Sequence, residues 1–342
     1  MANKKGVLAL AGAAVGLGVG IAAERSMLKR RRLNDPQAGE RFGTRRGERS
    51  QKIILRDGAE AFIEEVGPES SRGVVFIHGS ALRTDLWHYQ MPGIGGQRLV
   101  FYDLRGHGLS ERGEAELSIL TLTQDLEEII DACRLDEVVI VGHSVGGMIA
   151  LEFAIAHLDL LGSKVKGLAL LNTTYGPAVE TLAGGAAIAR FERVTRRPFD
   201  LLGTQSEKLE RLRRVIRPSD AIFWSVAYAG FGAGASAKQI DFTYDMLSET
   251  QADVIFELIK AYRDFDVRDR LSEVNVPVLV IGGTQDRLTQ SHASEYIATA
   301  LPKSDLHVLE GSGHMTMLER HRELNELLEA FTLDVLGPPG AA

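Results

Sequence analysis

The stretch VVIVGHSVGGMIALEFA, residues Val138–Ala154, places a serine among glycines at the point where one apolar run gives way to another. Val138–Val141 is a continuous β-branched run, which is typical of a short strand buried on both faces of a parallel sheet. The residues that follow place apolar side chains at helical spacing, for example Met148 and Leu151. The pattern predicts a strand that turns directly into a helix, with Ser144 at the turn.

A serine at such a turn can be a nucleophile, or an ordinary turn or helix-capping residue. Gly142 and Gly146 would let the backbone pass close to the helix and to the neighbouring strand. The start of the helix would direct free N–H groups and its positive dipole end at an anion formed beside the hydroxyl. The full Gly-His-Ser-Val-Gly-Gly context favours the nucleophile for Ser144.

A serine nucleophile needs a general base and a group that orients the base. Asp286 follows a second buried apolar run, Val276–Ile281. It therefore lies beyond the carboxyl end of a predicted strand, where open parallel sheets place their functional sites. His314 stands in a Gly-Ser-Gly-His loop after a third run, and 28 residues separate it from Asp286. That distance accommodates one helix and one returning parallel strand. The sequence therefore predicts a Ser144, Asp286, His314 triad in which His314 is the base.

These motifs resemble those of the α/β-hydrolase superfamily, in its esterase and lipase-like branch, over Lys52–Leu333. Two more stretches carry the resemblance: a strand that ends in His78-Gly79, and the D-x-R-G-x-G-x-S loop within Leu99–Ser110. The resemblance implies an α/β fold with a mostly parallel, doubly wound sheet of about eight strands. It also implies a helical cap inserted after the sixth strand.

The resemblance assigns roles to the residues around the serine as well. The backbone N–H groups of Ser80 and Val145 would form the oxyanion hole, next to a site loop that contains His78 and Gly79. Neither His78 nor His107 occupies the position of a base in the pattern, so both are expected to structure loops.

Two further expectations concern a charged pair near the site and the need for a cofactor. Asp103 and Arg105 are expected to pair with each other and hold their loop. No cofactor or metal is expected, since the nine histidines and the single Cys133 show no zinc-binding spacing.

The domain organisation follows from the same pattern. Residues 52–176 and 267–335 are expected to form the hydrolase core, and residues 177–266 a helical cap. The cap contains an aromatic cluster, which is expected either to pack inside the cap or to line an apolar substrate pocket. The cluster consists of Phe223, Trp224, Tyr228 and Phe231.

Residues 1–23 contain eighteen uncharged residues from Gly6 to Ala23, enough to span a thin hydrocarbon core. Residues 24–51 read as a basic linker, which favours a membrane-anchored protein with its catalytic domain on the cytoplasmic side. The alternative is a cleaved signal peptide and export. Small residues at Gly12, Gly16 and Gly20 would allow two such helices to pair, but they leave the oligomeric state open.

The leading prediction is a serine hydrolase that acts on small apolar carboxylic esters. A membrane anchor would favour a lipid-derived ester as the substrate. The same residues on the same fold also serve acyltransferases, amidases or peptidases, lactonases, carbon–carbon bond hydrolases and cofactor-free haloperoxidases, which fold alone does not separate. A membrane-tethered binding protein without activity is the non-enzymatic alternative. Nucleic acid is not an expected partner, because the net charge of −7 is concentrated in an acidic catalytic domain.

Overall fold

The apolar runs identified in the sequence pair side by side in one sheet. The computed structural model describes residues 25–185 and 220–338. The strands of the sheet are β1 (Arg49–Ile54), β2 (Glu60–Val66), β3 (Arg72–Ile77), β4 (Arg98–Tyr102), β5 (Glu137–His143), β6 (Val165–Leu171), β7 (Val278–Gly283) and β8 (Ser304–Leu309).

The eight described strands lie in the order β1-β2-β4-β3-β5-β6-β7-β8. The β1–β2 and β2–β4 pairs are antiparallel, and every pair from β4–β3 to β7–β8 is parallel. Parallel neighbours require crossover connections, which helices supply. The predicted fold class, a mostly parallel doubly wound sheet of about eight strands, is confirmed.

Helices cover both faces of the sheet. Residues 25–33 form α1, and the other α-helices are α2 (Gln90–Gly93), α3 (Ile119–Ala132), α4 (Val145–Ala156), α5 (Ala178–Thr181), α6 (Asp220–Gly230), α7 (Ala237–Glu249), α8 (Ala252–Arg263), α9 (Ser291–Ala300), α10 (Thr316–Glu319) and α11 (His321–Leu336). Short 3₁₀ helices occur at Thr84–Trp87, Leu158–Leu160 and Arg268–Glu273.

Alternate residues of the central strands β3 to β7 contribute to two apolar cores. On one face, side chains such as Ile140 pack with α3, α4 and α9. On the other face, side chains such as Val141 pack with α11 and with the insert, which we define as residues 172–277 between β6 and β7. Because both faces are covered, the central strands are apolar throughout, as the run Val138–Val141 predicted.

The described part of the insert is helical. It comprises α5 to α8, and its residues 186–219 lie outside the described ranges. Its use as a mobile cap, and the boundaries at 177 and 266, stay predictions.

The basic segment 24–51 differs from the linker that the sequence predicts, because its described residues pack on the insert. Leu28 of α1 is 2% exposed and belongs to the core beneath the insert. The guanidinium of Arg32 donates two hydrogen bonds to Asp241 of α7, at 2.7 and 2.9 Å. Asp35 accepts from the backbone N–H of Lys238 at 2.6 Å, at the start of the same helix. The segment ends in β1, so the sheet begins at Arg49 and not at residue 52.

Residues 1–23, the expected membrane anchor, lie outside the described residues. Across residues 25–185 and 220–338, no helix has the length and apolar character needed to cross a bilayer.

Candidate active site

Four neighbouring parallel strands deliver the residues of the candidate site to one edge of the sheet. Ser144 follows β5, Asn172 follows β6, Asp286 lies beyond β7 and His314 lies beyond β8. Since parallel strands present their carboxyl ends at the same edge, residues far apart in sequence meet there.

Ser144 occupies a strained turn between β5 and α4. Its φ of 55° and ψ of −117° are unusual for a residue with a side chain, and such strain persists only where surrounding structure enforces it. A methyl group added at Gly142 would collide with the carbonyl of Gly146, and one at Gly146 with the carbonyl of Ile77. The predicted strand-turn-helix geometry, including the need for both glycines, is confirmed.

Asp286 is held by five hydrogen bonds. Its Oδ1 accepts from the backbone N–H groups of Leu288 and Thr289, at 2.8 and 2.9 Å. Its Oδ2 accepts from Nδ1 of His314 at 2.9 Å, from Nδ2 of Asn172 at 2.9 Å and from the Thr289 hydroxyl at 2.8 Å. Burial alone would raise the pKa of Asp286, but the His314 charge and these donors outweigh burial and lower it. Asp286 is therefore a carboxylate at neutral pH.

The Asp286 carboxylate fixes the tautomer of His314. A carboxylate only accepts hydrogen bonds, so Nδ1 of His314 carries the proton and Nε2 of the neutral ring is left with a lone pair. His314 and Ser144 line the same cavity. Within the described ranges no hydrogen bond joins the Ser144 hydroxyl to His314, a contact that often forms only when substrate binds.

The expected oxyanion-hole residues border the same cavity. Ser80, Gly79 and Val145 all line it beside Ser144. Val145 is the first residue of α4, and the first N–H groups of a helix have no intrahelical partner. The assignment of the Ser80 and Val145 N–H groups as oxyanion donors stays a prediction that this placement allows.

His78 and His107 hold the loops next to these donors. Nε2 of His78 accepts from the Leu104 N–H at 2.9 Å, and Nε2 of His107 accepts from the Ala81 N–H at 3.0 Å. Burial lowers the pKa of His78 well below its ordinary value and that of His107 to about 4, so both rings are neutral at pH 7. Each ring can then donate through Nδ1, to the carbonyls of Gly79 and Arg105 respectively. These contacts agree with the expected structural role.

The predicted pairing of Asp103 with Arg105 is wrong. Arg105 instead forms ion pairs with Asp57 and Asp125, the latter at 2.7 Å. Asp103 is buried and accepts from backbone N–H groups, including that of Thr84 at 2.7 Å. The two side chains still fix the loop, but through partners other than each other: Asp103 also accepts from the Leu109 N–H of the same loop, at 2.8 Å.

Two residues of the site were not identified as such in the sequence. Nε2 of His143, the residue before the nucleophile, lies 3.0 Å from the backbone carbonyl of His314 and donates to it. Asn172, with φ at 46°, joins Asp286 to the Gly313 carbonyl, to which it donates at 3.2 Å. In the sequence the amide of Asn172 gives no signal of an orienting role.

The site opens into a cavity of about 720 Å³ between the sheet edge and the insert. Most of its described lining is apolar and comes from the insert and from α4. The apolar side chains include Met148, Val179, Leu182, Val226, Leu247, Ile255, Ile259, Leu288 and Met315.

The four aromatic residues of α6 and the loop after it do not belong to the described lining of this cavity, so the second of the two alternatives for them, a substrate pocket, is wrong. Phe223 and Phe231 are buried in the core beneath the insert, Trp224 packs against that core, and Tyr228 is 67% exposed. The cavity is lined instead by Ser225, Val226, Ala229 and Gly230 of the same helix. Trp224 and Tyr228 recur at helical spacing on the opposite face of α6, which turns them away from the serine.

The alpha/beta hydrolase fold family matches residues 73–321, and the chain belongs to that family. The match covers the strained turn at Ser144, which we call the elbow. It also covers the loop that carries Asp286, the acid loop, and the loop that carries His314, the base loop. Membership of this family supports a hydrolase.

Relatives and solved structures agree on the fold. AB hydrolase superfamily protein YisY of Bacillus subtilis (strain 168) is 26% identical over 288 residues, which are 82% of this chain and 98% of that protein. Non-heme chloroperoxidase of Streptomyces lividans is 29% identical over 290 residues, 82% of this chain and 98% of that protein. The structure of an esterase (EaEST) from Exiguobacterium antarcticum matches with a TM-score of 0.66 at 22% identity, covering 82% of this chain and 98% of that one.

Proposed function

We propose that this protein is a serine hydrolase that cleaves carboxylic esters through an acyl-enzyme on Ser144. The observation that carries the proposal is the Asp286–His314 hydrogen bond of 2.9 Å, whose histidine shares an apolar cavity with a serine on a strained elbow. Nucleophile, base and orienting acid are the parts that acyl transfer needs.

The reaction follows from the protonation states of the site. His314 takes the Ser144 proton on Nε2 as the hydroxyl oxygen attacks the acyl carbonyl, and Asp286 stabilises the resulting imidazolium. The N–H groups of Ser80 and Val145 then donate to the oxyanion, a contribution of roughly 3 kcal/mol for each donor. His314 returns the proton to the leaving alcohol. Water, activated by His314, releases the acid from the serine.

The cavity supports an apolar acyl group as the preferred substrate. Its lining is mostly aliphatic, and burying each methylene in such a cavity contributes about 0.8 kcal/mol. We infer that small-molecule esters with an aliphatic or lipid-derived acyl chain bind there without a cofactor.

Cofactor-free haloperoxidase activity is the second candidate. The support for it is the 29% identity to non-heme chloroperoxidase of Streptomyces lividans over 82% of the chain. Peroxide- and halide-dependent halogenation, measured beside ester cleavage, separates the two candidates.

We also propose that residues 1–23 attach the protein to a membrane, with the catalytic domain on the cytoplasmic side. The support is the uncharged run from Gly6 to Ala23, followed by ten lysine and arginine residues against four acidic ones in Glu24–Lys52. Recovery of the full chain in the membrane fraction, and loss of that recovery on deletion of residues 2–23, tests the attachment. Recovery of a shortened, exported chain would favour the signal-peptide alternative.

The ester proposal is tested with nitrophenyl esters from acetyl to palmitoyl, using the full chain in detergent. The folded segment 25–47 must be retained, because it packs on the insert. Ser144→Ala is expected to lower turnover by three or more orders of magnitude. Ser163→Ala, on the exposed turn before β6, is the matched control. Turnover that survives in Ser144→Ala would overturn the proposal.

A further inference from the structure

The loop that carries His314 meets the insert backbone to backbone. We define the glycine loop as residues 230–235, Gly-Phe-Gly-Ala-Gly-Ala, which joins α6 to α7. The carbonyl of Gly230 accepts from the N–H groups of His314 and Met315, at 3.0 and 3.1 Å. A methyl group at Gly313 would collide with the backbone of Phe231. The position of the insert and the position of the base are therefore linked.

One carboxylate bridges the two loops. Oε1 of Glu319, the last residue of α10, accepts from the Gly313 N–H at 2.9 Å. Its Oε2 accepts from the Gly232 N–H at 2.8 Å. Gly313 immediately precedes His314, so this carboxylate acts next to the base without touching the cavity.

The acid loop is tied to the same part of the insert by neutral or permanently charged groups. Gln285 accepts from the Ala233 N–H at 2.7 Å, and Arg287 donates to the Tyr228 carbonyl at 2.9 Å. In this set of contacts Glu319 differs, because its hydrogen-bonding capacity changes with pH.

We propose that Glu319 is a positioning residue that, as a carboxylate, clamps the His314 loop to the glycine loop and so keeps His314 aligned with Asp286. The inference rests on the proposed function, since the alignment of His314 limits turnover only if His314 is the base. It also makes the contact between the glycine loop and the His314 loop a condition for a correctly placed base.

The surroundings of Glu319 shift its pKa into the neutral pH range, where a change in its charge can affect activity. Burial raises the pKa of Glu319 to about 7, although the hydrogen bonds from Gly232 and Gly313 act to lower it. The charged groups that act on it are Asp286 of the acid loop, which raises the pKa, and the neighbouring Arg320, which lowers it. The glycine loop carries no charged residue.

Protonation of Glu319 weakens the clamp, because hydrogen bonds to a charged acceptor are about twice as strong as those to a neutral one. The rising side of the pH dependence of kcat is therefore expected to contain an ionisation that belongs to Glu319.

The test compares kcat and KM from pH 5 to 9 in the wild type, Glu319→Gln and the control Glu323→Gln, an exposed carboxylate on α11. The glutamine has the same size but presents an NH₂ group to one of the two backbone donors. We expect kcat of Glu319→Gln to fall about 10-fold to 100-fold above pH 8, with KM little changed, and the ionisation near pH 7 to disappear from the rising side of its profile. Glu323→Gln should keep the wild-type profile. A Glu319→Gln enzyme with wild-type kcat and an unchanged profile would overturn the proposal.

A second measurement does not depend on activity. The backbone amide resonances of Gly232 and Gly313 in the wild-type protein are expected to shift together with a midpoint near pH 7, and to lose that titration in Glu319→Gln. If the wild type shows no serine-dependent turnover, the proposed function fails, while these resonances still decide whether the clamp exists. Amide resonances that do not titrate in an active wild type would refute the clamp and leave the hydrolase in place.

Discussion

Asp286 and His314 come from separate loops, yet a 2.9 Å hydrogen bond joins Oδ2 of the first to Nδ1 of the second. The pair lies where β7 and β8 end side by side, and Asn172 after β6 supports it from the neighbouring strand. The sheet thus fixes the distance between acid and base before any substrate binds.

Asp286→Asn is expected to lower kcat about 10⁴-fold without unfolding the protein. The asparagine can present its NH₂ group to Nδ1, which would leave Nε2 protonated and unable to accept the serine proton. Steady-state kinetics with a nitrophenyl ester measures the loss. Asp269→Asn, an exposed carboxylate before β7, should behave as the wild type. An Asp286→Asn enzyme within tenfold of wild-type kcat would exclude Asp286 as the orienting acid.

His143→Phe is expected to lower kcat roughly tenfold while KM changes little. Phenylalanine keeps an aromatic ring beside the elbow but lacks Nε2, which in the wild type donates to the His314 carbonyl at 3.0 Å. His143→Gln keeps an N–H donor and should retain more of the activity. Equal kcat values in the two variants would show that the hydrogen bond does not position His314.

Gly146→Ala is expected to destabilise the protein by about 3 kcal/mol, because the added methyl group meets the backbone carbonyl of Ile77. Gly39→Ala is the control, since a methyl group at Gly39 has open space around it. Urea unfolding of both variants gives the difference. A Gly146→Ala protein as stable as the control would mean that the elbow is less tightly packed than the structure indicates.

Leu28→Ala is expected to cost about 2 kcal/mol, since Leu28 is 2% exposed and packs in the core beneath the insert. Met27→Ala changes the adjacent side chain, which is 63% exposed, and should cost less than 0.5 kcal/mol. Thermal unfolding of the full chain compares the two. Equal effects would indicate that α1 does not dock on the insert in solution.

Glu319 predicts a pH dependence of stability. Its pKa is about 7 in the folded protein and near the ordinary 4.5 in the unfolded chain, so the folded state binds this proton more tightly. The stability from that proton is fully present below pH 4.5 and is lost as the pH rises through about 7. Relative to Glu319→Gln, the wild type should lose about 3 kcal/mol of unfolding free energy between pH 4.5 and 8. Parallel pH profiles of the two proteins, from chemical denaturation, would contradict this prediction.

The sequence predicts the parts of the fold and site that depend on local pattern. The elbow at Ser144 and the strand ends before Asp286 and His314 are visible because each lies within about ten residues of a buried run. Contacts between distant segments are different. Nothing near Arg105 shows that its partners are Asp57 and Asp125, and composition alone does not show which face of α6 turns toward the serine.

The N-terminal segment illustrates the same limit. A run of basic residues predicts a solvated linker, since charges favour water. In the structure, however, the guanidinium of Arg32 finds a carboxylate on α7, while Leu28 supplies the apolar contact. Such docking depends on the surface that the insert presents, and no property of residues 24–51 alone reveals that surface.

The most direct measurement is labelling of the full-length protein with a fluorophosphonate, followed by intact mass and peptide mapping. One adduct on Ser144 is expected in the wild type, none in Ser144→Ala, and labelling slowed by about three orders of magnitude or more in His314→Ala. Absence of labelling in the wild type, or an adduct on another serine, would contradict the assignment of Ser144 as an activated nucleophile.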